Sequence, residues 1–198
     1  MRLSEAKTDY YRRKAREEGY KSRAAYKLLE AVKKYRLIKQ GDRVVDMGAA
    51  PGGWLQVASE AVGQHGRVVG VDLSEIRLNL DNVQTLMMDI YDKTTLEKVR
   101  VLLDRPADVL LSDLSPKISG AWDLDHYKQI DLVLRSFELA DDILRKGGNC
   151  MMKLFDGERF LEARKEAERR YATVVVMKPK ASRGESSEMY LVCLGKRT

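Results

Sequence analysis

Residues 43–54 read RVVDMGAAPGGW, and this stretch decides the fold. The β-branched pair Val44 and Val45 predicts a short buried strand, and the glycine-rich loop behind it lets the backbone turn sharply and approach a ligand. From Trp54 onward the apolar residues recur at helical spacing. A strand that leads through a glycine loop into a helix is typical of a parallel α/β sheet that binds a ligand at the loop.

The rest of the chain repeats this alternation of short apolar runs and longer helical segments. We predict strands at residues 43–46, 67–72, 83–88, 108–112, 149–154, 173–177 and 189–194. We predict helices between them at residues 54–62, 95–103, 124–144 and 161–170. The pattern indicates an α/β fold with a seven-stranded, mostly parallel sheet covered on both faces. The link between the last two strands is too short for a helical crossover, so they should form an antiparallel pair at the sheet edge.

A charged residue stands at the end of each of the first five strands. These residues are Asp46, Asp72, Asp89, Asp113 and Lys153. Because ligands of open parallel sheets bind at the carboxyl ends of the strands, we expect a crevice lined by four carboxylates and one amine.

The glycine loop and Asp72 together indicate which ligand this crevice takes. Asp72 follows Gly53 by 19 residues, the spacing at which a carboxylate grips the ribose hydroxyls of an adenosine. The loop is not GxGxxG and no GK[ST] follows, which disfavours a nicotinamide cofactor or a nucleoside triphosphate. Clustered acids suit a cationic cofactor without phosphates, and S-adenosylmethionine is a ligand of that kind.

Lys153 lies in the otherwise apolar run CMMKLF, where a lysine is rarely found without a purpose. Its expected neighbour is Asp113, in the segment SDLSP. Methyltransferases that act on amino groups carry Pro-Pro and an aromatic residue at this point, and cytosine-C5 methylation needs a cysteine there. Neither pattern is present. Without a His, Cys and Asp ligand cluster, we expect no metal.

The distribution of charge indicates a polyanionic partner that binds the N-terminal part of the chain. The 198 residues allow one domain, residues 1–198, yet residues 1–39 carry 13 Lys and Arg against 5 Asp and Glu. We predict a helix at residues 9–18 and a second one capped by Ser22. This basic segment, about residues 1–39, indicates a polyanionic partner, and the family resemblance described below implies that it is an RNA-docking segment. The cations Arg12, Arg13, Lys21 and Arg23 would hold phosphates, and the interleaved tyrosines Tyr10, Tyr11, Tyr20 and Tyr26 could stack on unpaired bases.

The remaining features concern location. Cys150 and Cys193 lie far apart in apolar runs, as expected of buried thiols in a reducing compartment. No apolar run reaches the ~18 residues of a membrane span, and neither a secretory signal nor a mitochondrial presequence is recognisable. We therefore expect a cytoplasmic, monomeric protein without membrane association.

Several motifs, in order along the chain, resemble the FtsJ/RlmE-type ribose 2′-O-methyltransferases of RNA. The segments are SRAAYKL (22–28), DMGAAPGGW (46–54), SDLSP (112–116) with Ser119-Gly120, KLFDG (153–157), Lys178-Pro179 through Ser182-Arg183, and SSEMY (186–190). The resemblance runs from about Ser22 to the C-terminus. It departs at Ser115-Pro116-Lys117, where many members have Ala-Pro-Asn.

This resemblance implies a Rossmann-like, class I S-adenosylmethionine-dependent methyltransferase. It implies a catalytic Lys-Asp-Lys-Glu tetrad at Lys27, Asp113, Lys153 and Glu188. It implies cofactor contacts at Gly52, Trp54, Asp72, Asp89 and Asp113. Spacing alone would leave Lys27 on a solvated helix face and Glu188 at the surface, so these two roles rest on the resemblance.

The expected reaction is methyl transfer from S-adenosylmethionine to a ribose 2′-hydroxyl, with Lys153 as the general base and Asp113 holding it. Lys27 and Glu188 would orient the base and the ribose. The implied substrate is a uridine of large-subunit ribosomal RNA, free or in the assembled subunit. Two alternatives stay open. One is the same chemistry on a transfer RNA; the other is a non-catalytic RNA-binding factor of ribosome assembly, against which the intact tetrad argues.

Overall fold

A computed structural model of the chain describes residues 3–117, 119–182 and 186–198, with side chains described from residue 10 onward. Arg183, part of one motif noted above, lies outside the described residues.

The described elements follow the predicted order. The strands are β1 (Arg43–Met47), β2 (Arg67–Asp72), β3 (Val83–Met87), β4 (Ala107–Ser112), β5 (Leu144–Phe155), β6 (Tyr171–Met177) and β7 (Glu188–Lys196). The helices are α1 (Leu3–Glu17), α2 (Ala25–Tyr35), α3 (Gly53–Val62), α4 (Lys93–Leu103), α5 (Trp122–Ile143) and α6 (Phe160–Arg170). Each predicted strand and helix is present, with ends that differ by a few residues.

The strands form one sheet in the order β3-β2-β1-β4-β5-β7-β6. Strands β1 to β5 pair in parallel, whereas β7 runs antiparallel to both β5 and β6. The predicted α/β fold, with a mostly parallel seven-stranded sheet and an antiparallel edge pair, is thus confirmed. The strand order reverses between β1 and β4, which is where a parallel sheet opens a crevice.

Alternating side chains of the buried strands supply two cores, one on each face of the sheet. Val44 and Val68 pack with α2 and α3 on one face, and Val45 and Val69 pack with α4, α5 and α6 on the other. Because both faces are covered, the strands read as continuous apolar runs. The sheet therefore holds its carboxyl edge, and the side chains on that edge, in a rigid frame.

The expected cap of the second helix is wrong. Helix α2 begins at Ala25, its N-cap position is Ala24, and no side chain caps it. The carbonyl of Ser22, not its hydroxyl, accepts from the amide of Ala25 at 3.2 Å. A tight turn over residues 22–24 thus takes the place of a side-chain cap.

The tyrosines of the basic segment mostly do not stand free to stack on bases, which corrects that expectation. The rings of Tyr11 and Tyr20 lie 5.3 and 5.8 Å from the ring of Tyr26, which is buried. The hydroxyl of Tyr26 donates to Glu18. Packing a tyrosine ring against other rings is more favourable than leaving it in water. Tyr11, Tyr20 and Tyr26 therefore help to hold α1 against the rest of the domain. Tyr10, 48% exposed, is the exception among the four tyrosines.

Candidate active site

A cleft of about 560 Å³ opens at the carboxyl edge of the sheet, beside the switch point between β1 and β4. Its walls come from the loops after β1, β2, β3 and β4 and from one side of α5. The acidic residues in the lining are Asp72, Asp89, Asp113 and Asp131. The size and the acidic lining suit a cationic ligand the size of a nucleoside.

Asp72 is held in a fixed orientation at the end of β2. Its carboxylate accepts from the amide of Ala50 at 2.9 Å and from the amide of Ser74 at 2.8 Å. The glycine loop lies close by: Gly48 has φ +78°, and a Cβ there would lie 2.9 Å from a methyl group of Leu114. A glycine is therefore required where the loop passes the β4 loop, and the loop in turn orients the Asp72 carboxylate.

The other predicted cofactor residues divide into two groups. Asp89 and Asp113 line the cleft as expected. Gly52 and Trp54 do not line it. The indole Nε1 of Trp54 donates to the carbonyl of Ala24 at 2.8 Å, and its ring packs against Tyr190 at 5.7 Å between centroids. In this structure Trp54 joins α3 to α2 behind the glycine loop.

Asp46 is fully buried beneath the glycine loop and does not reach the cleft surface, which corrects the expected lining of four carboxylates and an amine. Within the described residues neither of its carboxylate oxygens has a hydrogen-bond partner. Burial, reinforced by the charges of Asp113 and Asp72, raises the pKa of Asp46 well above its usual value. Burial therefore favours the neutral form of this carboxyl group.

Lys153 and Asp113 form the first of two ion pairs beside the cleft. Lys153 is 8% exposed, and its Nζ donates to the Asp113 carbonyl at 2.8 Å and lies 3.2 Å from the Asp113 Oδ1. Gln129 of α5 donates to the carbonyls of Lys153 and Leu114 and so ties the two strand ends together. The amine predicted to lie at the strand end thus meets the acid predicted to be its neighbour.

Lys27 and Glu188 form the second ion pair. The ammonium of Lys27 donates to the Glu188 Oε1, which also accepts from the Ser182 hydroxyl at 3.1 Å. Lys27 is only 6% exposed, so its side chain, expected to be solvated, is in fact buried against Glu188 and Tyr190 of β7. The four predicted tetrad residues therefore lie in one cluster at the carboxyl edge of the sheet.

Tyr190 connects the two pairs, and sequence reasoning gave it no role. Its hydroxyl donates to the Asp113 Oδ1 at 2.8 Å and accepts from the Lys27 Nζ at 3.3 Å. Burial, together with the carboxylates of Asp113 and Glu188, raises its pKa well above the usual value, so the hydroxyl stays protonated. Its position opposite Lys153 in the β5–β7 register could have been found only once the strand pairing was known.

The charges of the cluster determine the direction in which the pKa of Glu188 is shifted. Burial alone would raise the pKa of this carboxyl, but the ammonium groups of Lys27 and Lys153 outweigh it and lower the pKa below the usual value. Glu188 is therefore ionised at neutral pH. The cluster places two cations against two anions in a site shielded from water, where each interaction is stronger than in solvent.

A basic recess of about 610 Å³ adjoins the cluster. It is lined by Arg12, Ala15, Arg16, Tyr20, Lys21, Ser22 and Arg23. The Arg23 guanidinium donates to the carbonyl of Ala181. The next residue, Ser182, donates to Glu188. The positive segment predicted from the sequence thus leads directly to the tetrad.

Solved structures identify the class. Over 89% of this chain and 98% of the other, the fold matches a ribosomal RNA methyltransferase from Plasmodium falciparum, with 26% identity and a TM-score of 0.80. It also matches Aeropyrum pernix fibrillarin, which was solved with S-adenosylmethionine bound, with 20% identity over 86% of this chain and 73% of that one and a TM-score of 0.59. The sheet and its acidic cleft are those of a Rossmann-like, class I methyltransferase.

The family follows from the sequence comparisons. The profile described as FtsJ-like methyltransferase matches residues 20–196. A ribosomal RNA large subunit methyltransferase E from Cenarchaeum symbiosum is 46% identical over 197 residues, covering 100% of both chains. The chain belongs to the FtsJ-like methyltransferase family, as the motifs predicted, and S-adenosylmethionine is its methyl donor.

Within residues 3–117, 119–182 and 186–198, no helix is long and apolar enough to cross a membrane. Over the same ranges, no group of three or more His, Cys, Asp or Glu side chains could hold a metal ion.

Proposed function

We propose that this protein methylates the 2′-hydroxyl of a ribose in large-subunit ribosomal RNA, with a uridine as the target nucleotide. Its sequence relatives are named as methyltransferases of that RNA. We further propose that residues 1–198 act as one methyltransferase domain, that its basic N-terminal segment docks the RNA, and that it works as a cytoplasmic monomer.

The observation that carries the proposal is the position of Asp113, which belongs to two sites at once. It lines the acidic cleft, and its Oδ1 meets both the Tyr190 hydroxyl and the Lys153 amine. A methyl group delivered at the end of the cleft would thus arrive beside a buried amine. This is the arrangement that methyl transfer to a hydroxyl needs, because proximity supplies much of the rate.

The chemistry of the cleft residues suits the cofactor. The Asp72 carboxylate, oriented by two amides, would accept from the ribose hydroxyls, while Asp89 and Asp113 give the cleft the negative charge that suits a sulfonium and an amino group. When bound, S-adenosylmethionine supplies an electrophilic methyl group. We propose that Gly52 and Trp54 act from behind the glycine loop, by holding its shape.

Lys153 is the proposed general base. To accept the proton of the 2′-hydroxyl the Lys153 amine must be neutral, so that its lone pair is free. After proton transfer the Lys153 ammonium is stabilised by the Asp113 carbonyl and carboxylate, which already lie at 2.8 and 3.2 Å. Asp113 thus orients the amine and stabilises the positive charge that the amine gains.

Lys27 and Glu188 are proposed to orient the ribose. Glu188 stays ionised and Lys27 stays bonded to it, so the pair offers one acceptor and one donor beside Lys153. Tyr190 keeps the two ion pairs at a constant separation through its two hydrogen bonds. The basic recess around Arg12, Arg16, Lys21 and Arg23 would hold the RNA backbone next to them.

The proposal is tested by methylation with tritiated S-adenosylmethionine of four substrates: isolated large-subunit RNA, intact large subunits, small-subunit RNA and transfer RNA. The labelled RNA is then hydrolysed in alkali. Because alkaline cleavage needs a free 2′-hydroxyl, a 2′-O-methyl group leaves the label in an alkali-stable dinucleotide, whereas base methylation leaves it in mononucleotides.

We expect alkali-stable label in large-subunit RNA, presented free or in the subunit, and none with the isosteric variant Asp113→Asn. Label in transfer RNA alone would refute large-subunit RNA as the substrate but would leave the proposed reaction, 2′-O-methylation, intact. Label in mononucleotides would overturn the ribose as acceptor. RNA binding without any methylation would favour the non-catalytic assembly factor.

A further inference from the structure

An exposed aromatic side chain, Trp122, lies beside the tetrad and has no part in the reaction described above. It is the first residue of α5 and is 51% exposed. Its ring stacks against Phe155 at 6.1 Å and an interplanar angle of 30°, and against His126 at 6.4 Å and 17°. A large aromatic ring left half in water presents an apolar face that a ligand can cover.

The surroundings hold this ring in place. The buried carboxylate of Asp125 accepts from the amide and hydroxyl of Ser119 and from the amide of Gly120, which fixes the turn before Trp122. His126 is buried below the indole and accepts from the amide of Arg159. A Cβ at Gly157 would come within 2.6 Å of the imidazole, so only a glycine leaves room for this ring. Trp122 is thus preorganised rather than free to move with a loop.

The position of Phe155 links this aromatic group to the reaction centre. Phe155 stands opposite Glu188 in the β5–β7 register and two residues after Lys153 on the same strand. Opposite residues of an antiparallel pair share a face of the sheet. The stacked rings therefore begin next to Glu188 and continue away from it to Trp122.

We infer that the exposed face of Trp122 is the stacking site for an unpaired nucleobase adjacent to the target nucleotide, an inference that rests on the proposed function. Bases of single-stranded RNA stack on aromatic side chains, and each such contact strengthens binding by about tenfold to a hundredfold. Asp123, Asp156 and Glu158 are exposed close by along the chain and would repel phosphate. The surface is therefore suited to the face of a base, while the basic recess on the other side takes the backbone.

The first test uses methylation kinetics on isolated large-subunit RNA. We expect Trp122→Ala to raise KM for RNA about tenfold or more, with kcat and the affinity for S-adenosylmethionine within about twofold of wild type. Trp122→Phe keeps an aromatic face and should restore most of the loss. Val101→Ala, which trims an exposed apolar side chain on α4, is the control and should leave KM unchanged.

The second test does not depend on catalysis. Trp122 and the buried Trp54 are the two tryptophans of the chain, so stacking of a base on Trp122 should quench fluorescence. Titration with decauridylate should quench the wild type and leave Trp122→Phe nearly unquenched. Quenching in the wild type together with failure to methylate any RNA would keep Trp122 as a base-stacking site and overturn the proposed function.

Three results would overturn the inference. Trp122→Ala could match wild type in KM and in decauridylate binding. It could lose cofactor affinity and thermal stability together, which would make Trp122 a structural residue. It could also impair methylation of intact subunits while isolated RNA is methylated normally, which would make the partner of Trp122 a ribosomal protein.

Discussion

Lys27→Met tests whether the second ion pair is as tightly coupled as its geometry implies. The substitution keeps the length and apolar stem of the side chain and removes the ammonium that bonds to Glu188 and Tyr190. Removing one partner of a fully buried ion pair costs about 3–5 kcal/mol. Glu188 keeps 17% side-chain exposure and its bond from Ser182, so we expect a loss of about 2–3 kcal/mol near neutral pH.

The contribution of Glu188 to the pH dependence of stability should decrease as well. In the wild type the pKa of Glu188 is lowered from 4.5, so its contribution is complete above pH 4.5 and is lost as the pH falls through the folded-state pKa. Without Lys27, the strongest influence that lowers this pKa is gone, so the pKa rises relative to the wild type. The stabilisation that Glu188 contributes above pH 4.5 then becomes smaller, because the difference in pKa between the folded and unfolded states shrinks.

Urea unfolding between pH 4 and pH 8 measures both effects. The double variant Lys27→Met/Glu188→Gln is the matched control, since it removes both charges and should recover much of the lost stability near neutral pH. If the free energy of unfolding of the single variant falls by less than about 0.5 kcal/mol, the Lys27–Glu188 pair contributes no more than an exposed surface ion pair, and the tight coupling is refuted. A double variant no more stable than the single one would refute the coupling.

Three further predictions concern the cleft, the basic recess and the opposite edge of the sheet. Asp72→Ala should weaken S-adenosylmethionine binding at least tenfold in calorimetry, whereas Asp81→Ala, an exposed acid outside the cleft, should not. Arg12→Gln combined with Arg16→Gln should flatten the salt dependence of RNA binding by about 1.4–1.8 in log–log slope, and an unchanged slope would remove this recess from the RNA path. Asp108→Asn breaks charged bonds to two arginines at the amino edge and should cost about 2–3 kcal/mol in urea unfolding with cofactor affinity unchanged; a stability equal to wild type would refute that role.

The parts of this molecule that follow from local patterns were predictable. The β-branched runs at residues 44–45 and 68–69 form strands whose side chains pack on both faces of the sheet. The acids that follow β2, β3 and β4 line the cleft because parallel strands end at one edge of the sheet. The short link before β7 indicated the antiparallel edge. These inferences need only periodicity and chain direction.

Features that depend on packing between distant segments were not predictable. Lys27 lies on the polar side of its helix, and only the approach of β7 buries it against Glu188. Asp46 looked like a cleft residue because the sequence does not show that the glycine loop covers it. The tyrosines near the N-terminus gained more by packing on Tyr26 than by exposure, a balance that no local pattern reveals. The resemblance to a known family supplied Lys27 and Glu188 where spacing could not.

The central claim, that the Lys153 amine accepts the proton of the ribose hydroxyl, is tested most directly by single-turnover methylation of the RNA substrate from pH 6 to pH 10. Lys153→Ala should slow the step by about 10²–10⁴-fold, and Lys153→Arg should not restore it because a guanidinium stays protonated. Lys146→Ala, at the exposed opposite end of β5, is the control and should match wild type. We expect the wild-type rate to rise with pH over this range, because the neutral amine is the reacting form; an active Lys153→Arg enzyme would contradict the claim, because the site would then use the positive charge and not the lone pair.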